Sequence, residues 1–312
     1  MRFGMDAAWR LVVGLAALVG LTTPVSSYAA QEKLNVVASF SVLADIVQSV
    51  GGDRINTTSL IPRNRDAHHF EPTPADVAEV RKADVVFVHG VAGFEGYLPR
   101  LIAASGYTGP VVTVSEGVKL RTRVRKGVAG DDPHTWNNPM NAVIYVGHIK
   151  DALEAKDPAG RAEYEANAAR YIAALKAIDA DARQRLGKIP ETQRVVISSH
   201  AAFGYLGDAY GITFLSPMSI STADEPSAKH IAALIDQIRK EHVSAYFVEN
   251  SNNPRLVELV AQATNVKPGG ELYAEALSPA GGPASTYLDM LRHNVDTLAT
   301  ALEKAPEQAS AK

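Results

Sequence analysis

The chain has 312 residues, 46% hydrophobic and 21% charged, enough apolar material for a packed core and, by length, for two domains of moderate size. A formal net charge of -3 and a pI near 6.3 lack the basic footprint of a nucleic-acid-binding domain, so nucleic acid is excluded as a partner. The absence of cysteine removes disulfides, thiolate zinc sites, iron-sulfur clusters and cysteine nucleophiles, and leaves imidazole and oxygen donors for any metal.

In chain order, residues 1–29 read as a signal peptide. Arg2 and Arg10 flank a polar start, and the apolar run that begins at Leu11 is too short to span a hydrocarbon core as a helix. Ser27-Tyr28-Ala29 places small residues where a signal peptidase reads, so cleavage is expected after Ala29. With no cysteine at the cut, the mature chain is expected to be soluble in the periplasm, without a lipid anchor.

The mature chain alternates β-rich runs with amphipathic segments. Over residues 30–156, strands are expected at 34–39, 55–61, 83–88 and 111–114, with helices at 42–50, 74–81 and 95–104. Residues 157–187 carry Tyr171, Ile172, Leu175 and Ile178 near helical spacing, opened by Asp157-Pro158 and closed by Gly187. They predict one linking helix of roughly 25 residues, about 37 Å long. The alternation restarts over 188–312, with strands at 194–198, 212–215 and 245–248 and helices at 227–241, 254–264 and from 286 to about 303. The expected fold is therefore α/β, with two lobes, each a mostly parallel sheet flanked by helices, joined by one long helix.

Three histidine-bearing segments fall in loops expected at or beyond strand ends. They are Arg65-Asp66-Ala67-His68-His69-Phe70-Glu71-Pro72, Asp131-Asp132-Pro133-His134-Thr135-Trp136 and Ser198-Ser199-His200-Ala201-Ala202-Phe203. In open α/β sheets ligands bind beyond the carboxyl ends of the strands, so loops from two lobes can converge on one crevice. Three imidazoles meeting without any thiol suggest a divalent transition metal. Asp66 and Asp132 each precede a histidine by two residues, where a carboxylate can orient the ring or cap the following turn.

These motifs resemble the periplasmic metal-binding proteins of zinc and manganese ABC importers, the cluster A-I or zinc-uptake family. Asp66-Ala67-His68-His69-Phe70-Glu71-Pro72 is similar to D-x-H-x-[FY]-E-P, Asp132-Pro133-His134-Thr135-Trp136 to D-P-H-x-W, and Ser199-His200-Ala201-Ala202-Phe203-Gly204-Tyr205 to S-H-x-x-F-x-Y. Gly282-Pro283-Ala284-Ser285-Thr286-Tyr287 is a further element, and the likeness spans essentially the whole mature chain. It implies metal ligands at His68, His134 and His200, monomeric two-lobed architecture, and delivery of a divalent ion to an inner-membrane permease. The family's usual fourth ligand is an aspartate in a stretch like L-Y-x-D-x-L, where this chain has Leu272-Tyr273-Ala274-Glu275-Ala276-Leu277, so Glu275 stands there instead.

Other departures bear on the cargo. Many zinc-uptake members carry a long histidine- and acid-rich loop before the second ligand, whereas the stretch from Lys119 to Lys126 is short, basic and free of histidine. His89 occupies a strand end where the family often shows asparagine, and is read either as facing the cleft or as a turn residue. Glu249 could orient a ligand or cap a helix. His69 is expected to point away, and His148, His230, His242 and His293 to lie on helices without a metal role. Three imidazoles favour Zn2+ as bound cargo over Mn2+, since the resemblance implies a glutamate in place of His200 in manganese carriers. The alternatives are a manganese or iron member of the same family and a zinc hydrolase with a three-histidine site. The chain lacks H-E-x-x-H and G-x-S-x-G, and no enzymatic activity is expected.

Overall fold

Runs of Val, Ile and Thr form strands because branched side chains pack well on a pleated surface. In the computed structural model, which describes residues 32–125, 128–241 and 243–304, the runs β1 (Leu34–Phe40), β2 (Ile55–Ile61), β3 (Val85–Val88) and β4 (Val111–Thr113) make one parallel sheet in the order β2-β1-β3-β4. The expected signal peptide and His242 lie outside the described residues. Between these strands run α1 (Ser41–Gly51), α2 (Pro74–Lys82) and α3 (Leu98–Ser105). Thr73 and Asp76 close a reciprocal capping box at α2, and Pro74 follows at its first turn, as the missing N–H there permits. The helix expected from Glu95 begins only at Leu98, because the buried Glu95 carboxylate turns back to accept the main-chain N–H of His89 and Gly90, at 2.9 and 2.8 Å.

The basic stretch read as a loop forms a strand, β5 (Thr122–Arg125), paired antiparallel with β6 (Val128–Asp131). There follow α4 (Pro139–Lys156), capped by Asn138, and α5 (Arg161–Leu186), 26 residues long and entered through a tight turn at Pro158–Gly160. Arg54 and Tyr164 both reach Asp157 Oδ2, at 2.7 and 2.8 Å, and pin the start of α5 to the first sheet's helical layer.

The second sheet repeats the plan. Its strands β7 (Val195–Ile197), β8 (Thr213–Leu215), β9 (Ala245–Glu249) and β10 (Pro268–Leu272) are parallel in the order β10-β9-β7-β8. The helices of this half are α6 (Gly204–Tyr210), α7 (Ala228–Glu241), α8 (Arg255–Thr264) and α9 (Tyr287–Glu303). In β10 the register shifts between Pro268 and Gly270, and a Cβ on Gly269 would meet the Phe247 ring at 2.5 Å. That edge strand therefore needs glycine for close approach, which is why no β-forming side chains announce it.

Two helices, not one, run beside both halves. Along α5, Tyr164, Tyr171 and Leu175 enter the first core, whereas Ala182 and Leu186 enter the second. Along α9, Tyr287, Met290 and Leu291 enter the first core, and Val295, Leu298 and Leu302 the second. The chain leaving β10 thus crosses back: Tyr273 and Leu277 pack into the first core, and Trp136 Nε1 donates to Ala274 O at 2.7 Å.

Trp136 is fully buried, and Trp136→Phe removes this hydrogen bond together with ring volume. The metal-free variant is expected to lose about 1–3 kcal/mol of stability in chemical denaturation followed by circular dichroism. An unchanged midpoint and slope would show that the crossing segment does not depend on this tie.

Candidate metal centre

The parallel sheets put the carboxyl ends of β2, β7 and β10 at one crevice, and the β5–β6 hairpin brings the His134 turn to it. After β2 the chain makes a tight turn, Ala67–His69, capped by Asp66, whose Oδ1 accepts the His68 N–H at 2.8 Å. His134 follows β6. His200 follows β7, and Glu275 follows β10. The structure brings the four together: one donor atom from each of His68, His134, His200 and Glu275 lies within 4.8 Å of all the others.

The separations have the scale of a coordination shell. His68 Nε2 is 3.2 Å from Glu275 Oε2, and His134 Nε2 is 3.3 Å from His200 Nε2. Glu275 Oε2 lies 3.8 Å from His200 Nε2 and 3.9 Å from His134 Nε2. A tetrahedron with bonds of about 2.0–2.1 Å has edges of about 3.3 Å, so the closest pairs match it and the others are wider. His134, His200 and Glu275 are fully buried, and neither His68 Nε2 nor Glu275 Oε2 makes a hydrogen bond. Buried polar atoms are normally hydrogen-bonded, so two such atoms facing each other fit a shared cation.

Carboxylates hold two of the rings from behind. With Nε2 toward the centre, His134 Nδ1–H donates to Asp132 Oδ1 at 2.9 Å, and the same oxygen accepts the His134 main-chain N–H at 3.1 Å. Asp132 thus orients the ring and caps the turn at once. His200 Nδ1 lies 2.5 Å from Glu249 Oε2, while Glu249 Oε1 accepts the His200 main-chain N–H at 3.0 Å. Glu249 orients a ring and does not cap the following helix. Asn252, which the sequence did not single out, donates to Glu249 Oε2. Glu275 Oε1 accepts the Ala67 N–H at 3.1 Å, which leaves Oε2 to face the imidazoles.

These neighbours set the protonation. Burial alone would lower the His200 pKa, but the adjoining carboxylates of Glu249 and Glu275 outweigh it and lift the value to about 9. Burial lowers that of His134, against the pull of Asp132. Burial would raise Glu275, yet the surrounding imidazoles, His68 first, hold its carboxyl well below the usual range.

His89 is buried outside this cluster. Its ring touches Phe40, Phe94 and Trp136, its Nε2–H donates to Pro133 O at 2.6 Å, and burial depresses its pKa to about 3. It braces the Asp132-Pro133-His134 turn and does not face the centre. His69 has a side chain 59% exposed and turned outward. His148 lies on α4, His230 on α7 and His293 on α9.

The family model for the zinc-uptake complex component A, periplasmic, matches residues 36–301. The chain belongs to this family. It is 33% identical over 306 residues to a manganese ABC transporter substrate-binding lipoprotein of Streptococcus gordonii, covering 94% of this chain and 98% of the relative. It is 33% identical over 273 residues to a manganese-binding lipoprotein of Halalkalibacterium halodurans, covering 88% and 90%. Among solved structures, the periplasmic zinc-binding protein TroA from Treponema pallidum superposes with a TM-score of 0.81 at 28% identity, covering 86% of this chain and 99% of TroA. A manganese-bound S38A mutant of a periplasmic metal-binding protein from Candidatus Liberibacter asiaticus gives 0.79 at 30% identity, covering 86% and 98%.

A ligand imidazole must be neutral at the coordinating nitrogen. Because the His200 value is raised to about 9, a cation that this ring coordinated at neutral pH would have to displace its proton. With His200 as a ligand, affinity should therefore rise about tenfold per pH unit up to about pH 9 and level off above it. Calorimetric titration at pH 7 in buffers of different ionisation enthalpy should report about one proton released per ion. Release of no proton at pH 7 would contradict the protonation described for His200.

Proposed function

We propose that this protein is a periplasmic substrate-binding component of an ABC importer that captures one divalent transition-metal ion and delivers it to an inner-membrane permease. His68, His134, His200 and Glu275 hold the ion, and Zn2+ is the first choice of cargo. The observation that carries this reading is the closeness of four buried donor atoms, two of them without any hydrogen bond. Family membership supports the transport role. We divide the mature chain into lobes at 30–156 and 188–312 around the connector 157–187, and take it to act as a monomer.

Three imidazoles and one carboxylate are the donor set of a nitrogen-preferring ion, which supports zinc. Manganese is the second reading. The wider separations, 3.8 and 3.9 Å, leave room for a larger shell, and several relatives carry manganese in their names. A hydrolase needs an open coordination position for an activated water. Here the Glu275 carboxylate faces that position from within a buried centre, which supports carriage of the ion as cargo without enzymatic turnover.

Elemental analysis of protein purified from its own periplasm, without added metal, tests the cargo: zinc in one-to-one ratio is expected, and manganese in its place would select the second reading. In chelator competition, replacing any one of the three histidines by Ala should weaken zinc binding by about 3 kcal/mol, a hundredfold or more. Glu275→Gln keeps an acceptor for Ala67 and should cost less, about tenfold. If two of the three histidine variants kept the parent affinity, the ligand assignment would fail.

A further inference from the structure

Deep in the crevice the halves are joined by buried groups: Tyr205 Oη donates to Asp132 O at 2.8 Å, and Asn137 Nδ2 to Ala202 O at 3.2 Å. On the His68 side the closure is of another kind. There Thr222 Oγ1 donates to Asp66 Oδ2 at 2.7 Å, while Asp66 Oδ1 caps the His68 turn.

Thr222 belongs to residues 216–227, a segment without helix or strand between β8 and α7. This segment rests on the His200 turn, since Ala201 N donates to Ser219 O at 3.1 Å and Met218 N to Ser199 O at 3.4 Å. One stretch of chain therefore touches both turns whose rings face each other, His68 and His200, with centroids 5.7 Å apart. The segment itself lines a cavity of about 610 Å³, together with Phe214 and Leu234. Asp66 and the exposed His69 line a second cavity, of about 780 Å³.

We propose that residues 216–227 form a flap over the metal centre and that Thr222 is its latch. The ion passes on the Asp66 side once the Thr222–Asp66 hydrogen bond breaks and the flap moves into the cavity that it lines. Thr222 is thus a positioning residue that governs exchange, and it touches no ligand atom. This rests on the metal-binding reading of the centre. One neutral hydroxyl on one carboxylate suits a latch, because its loss is modest and water can take over both groups. Opening need not undo the cap on His68, which uses the other oxygen of Asp66.

The test is zinc release from the loaded mature protein into excess chelator, followed by stopped flow. Thr222→Val keeps the shape and removes the donor. Release should become about tenfold faster, with the melting temperature of the metal-free protein unchanged, and Thr222→Ser should restore the parent rate. His230→Trp, which fills that cavity from its exposed edge, should slow release severalfold. Parent-like release from Thr222→Val, or a Ser variant as fast as the Val variant, would overturn the latch while the metal centre stands. A parent protein that binds no zinc would overturn the centre and the latch together.

Discussion

A carboxylate and three imidazoles cannot share a buried space without positive charge among them, and the rest of the structure answers to that constraint. Removing a charge from water costs several kcal/mol unless a partner repays it. Glu275 is such a charge, with Glu249 and Asp132 buried directly behind the rings it faces. In the metal-free protein a proton on His200 supplies part of the compensation. On the proposed metal-binding reading, a dication at the focus of the four groups would supply twice as much and would displace that proton at neutral pH. The carboxylates behind the rings do two jobs: they fix which nitrogen faces inward and make that nitrogen more basic toward metal.

The chain path shows how these donors are kept in register. Glu275 follows a strand of the second sheet, yet the segment around it is fastened to the first. Trp136 and Asn137 both donate to Ala274 O, Leu277 N donates to Ser41 Oγ at 3.1 Å, and Asn64 N donates to Leu277 O at 2.9 Å. Glu275 Oε1 itself accepts from Ala67, one residue before His68. His68, His134 and Glu275 are therefore held as a three-donor cup on one side. His200, with Glu249 and Asn252, faces them from the second sheet. Three of the four donors are thus held together by main-chain and side-chain hydrogen bonds before the fourth is considered, which limits the ordering that such a centre requires. The two long helices, α5 and α9, run through both cores and oppose large swings between the halves.

The parallel strands were legible because Val, Ile and Phe runs at regular intervals have few other uses, and the 26-residue helix because it contains neither Gly nor Pro. What stayed hidden had physical reasons. Pro268, Gly269 and Gly270 hide β10, since that strand is selected by close approach to Phe247. Two glycines and seven residues hide α6. The histidines could be read as a converging set from their positions after strands. Glu275 could not, because a carboxylate in an alanine-rich stretch carries no spacing signal, and it was reached only through family resemblance. Thr222 and Asn252 are short polar residues in loops, where the prior is a solvated side chain. His89 shows the opposite failure: its strand-end position was informative, but the acceptor it serves, Pro133 O, is set by tertiary packing alone.

The surroundings also bear on which ion the centre prefers. Nitrogen-rich sites bind zinc more tightly than manganese whatever their service, so affinity by itself does not distinguish the two cargoes. Coordination number does. Manganese favours six oxygen-rich positions, and a four-donor centre could reach that number only with water or a second oxygen from Glu275. Phe94 stands edge-on to His68 and His134, at 5.6 and 6.4 Å between centroids, and Trp136 to His134 at 5.4 Å, so one side of the centre is an aromatic wall. Glu275 Oε1 already accepts the Ala67 N–H with one of its two lone pairs, so a second oxygen from this carboxylate would have to serve the ion and the main chain together. The hydrogen bond to Ala67 thus orients an otherwise flexible glutamate and leaves Oε2 as the oxygen nearest the His68 ring.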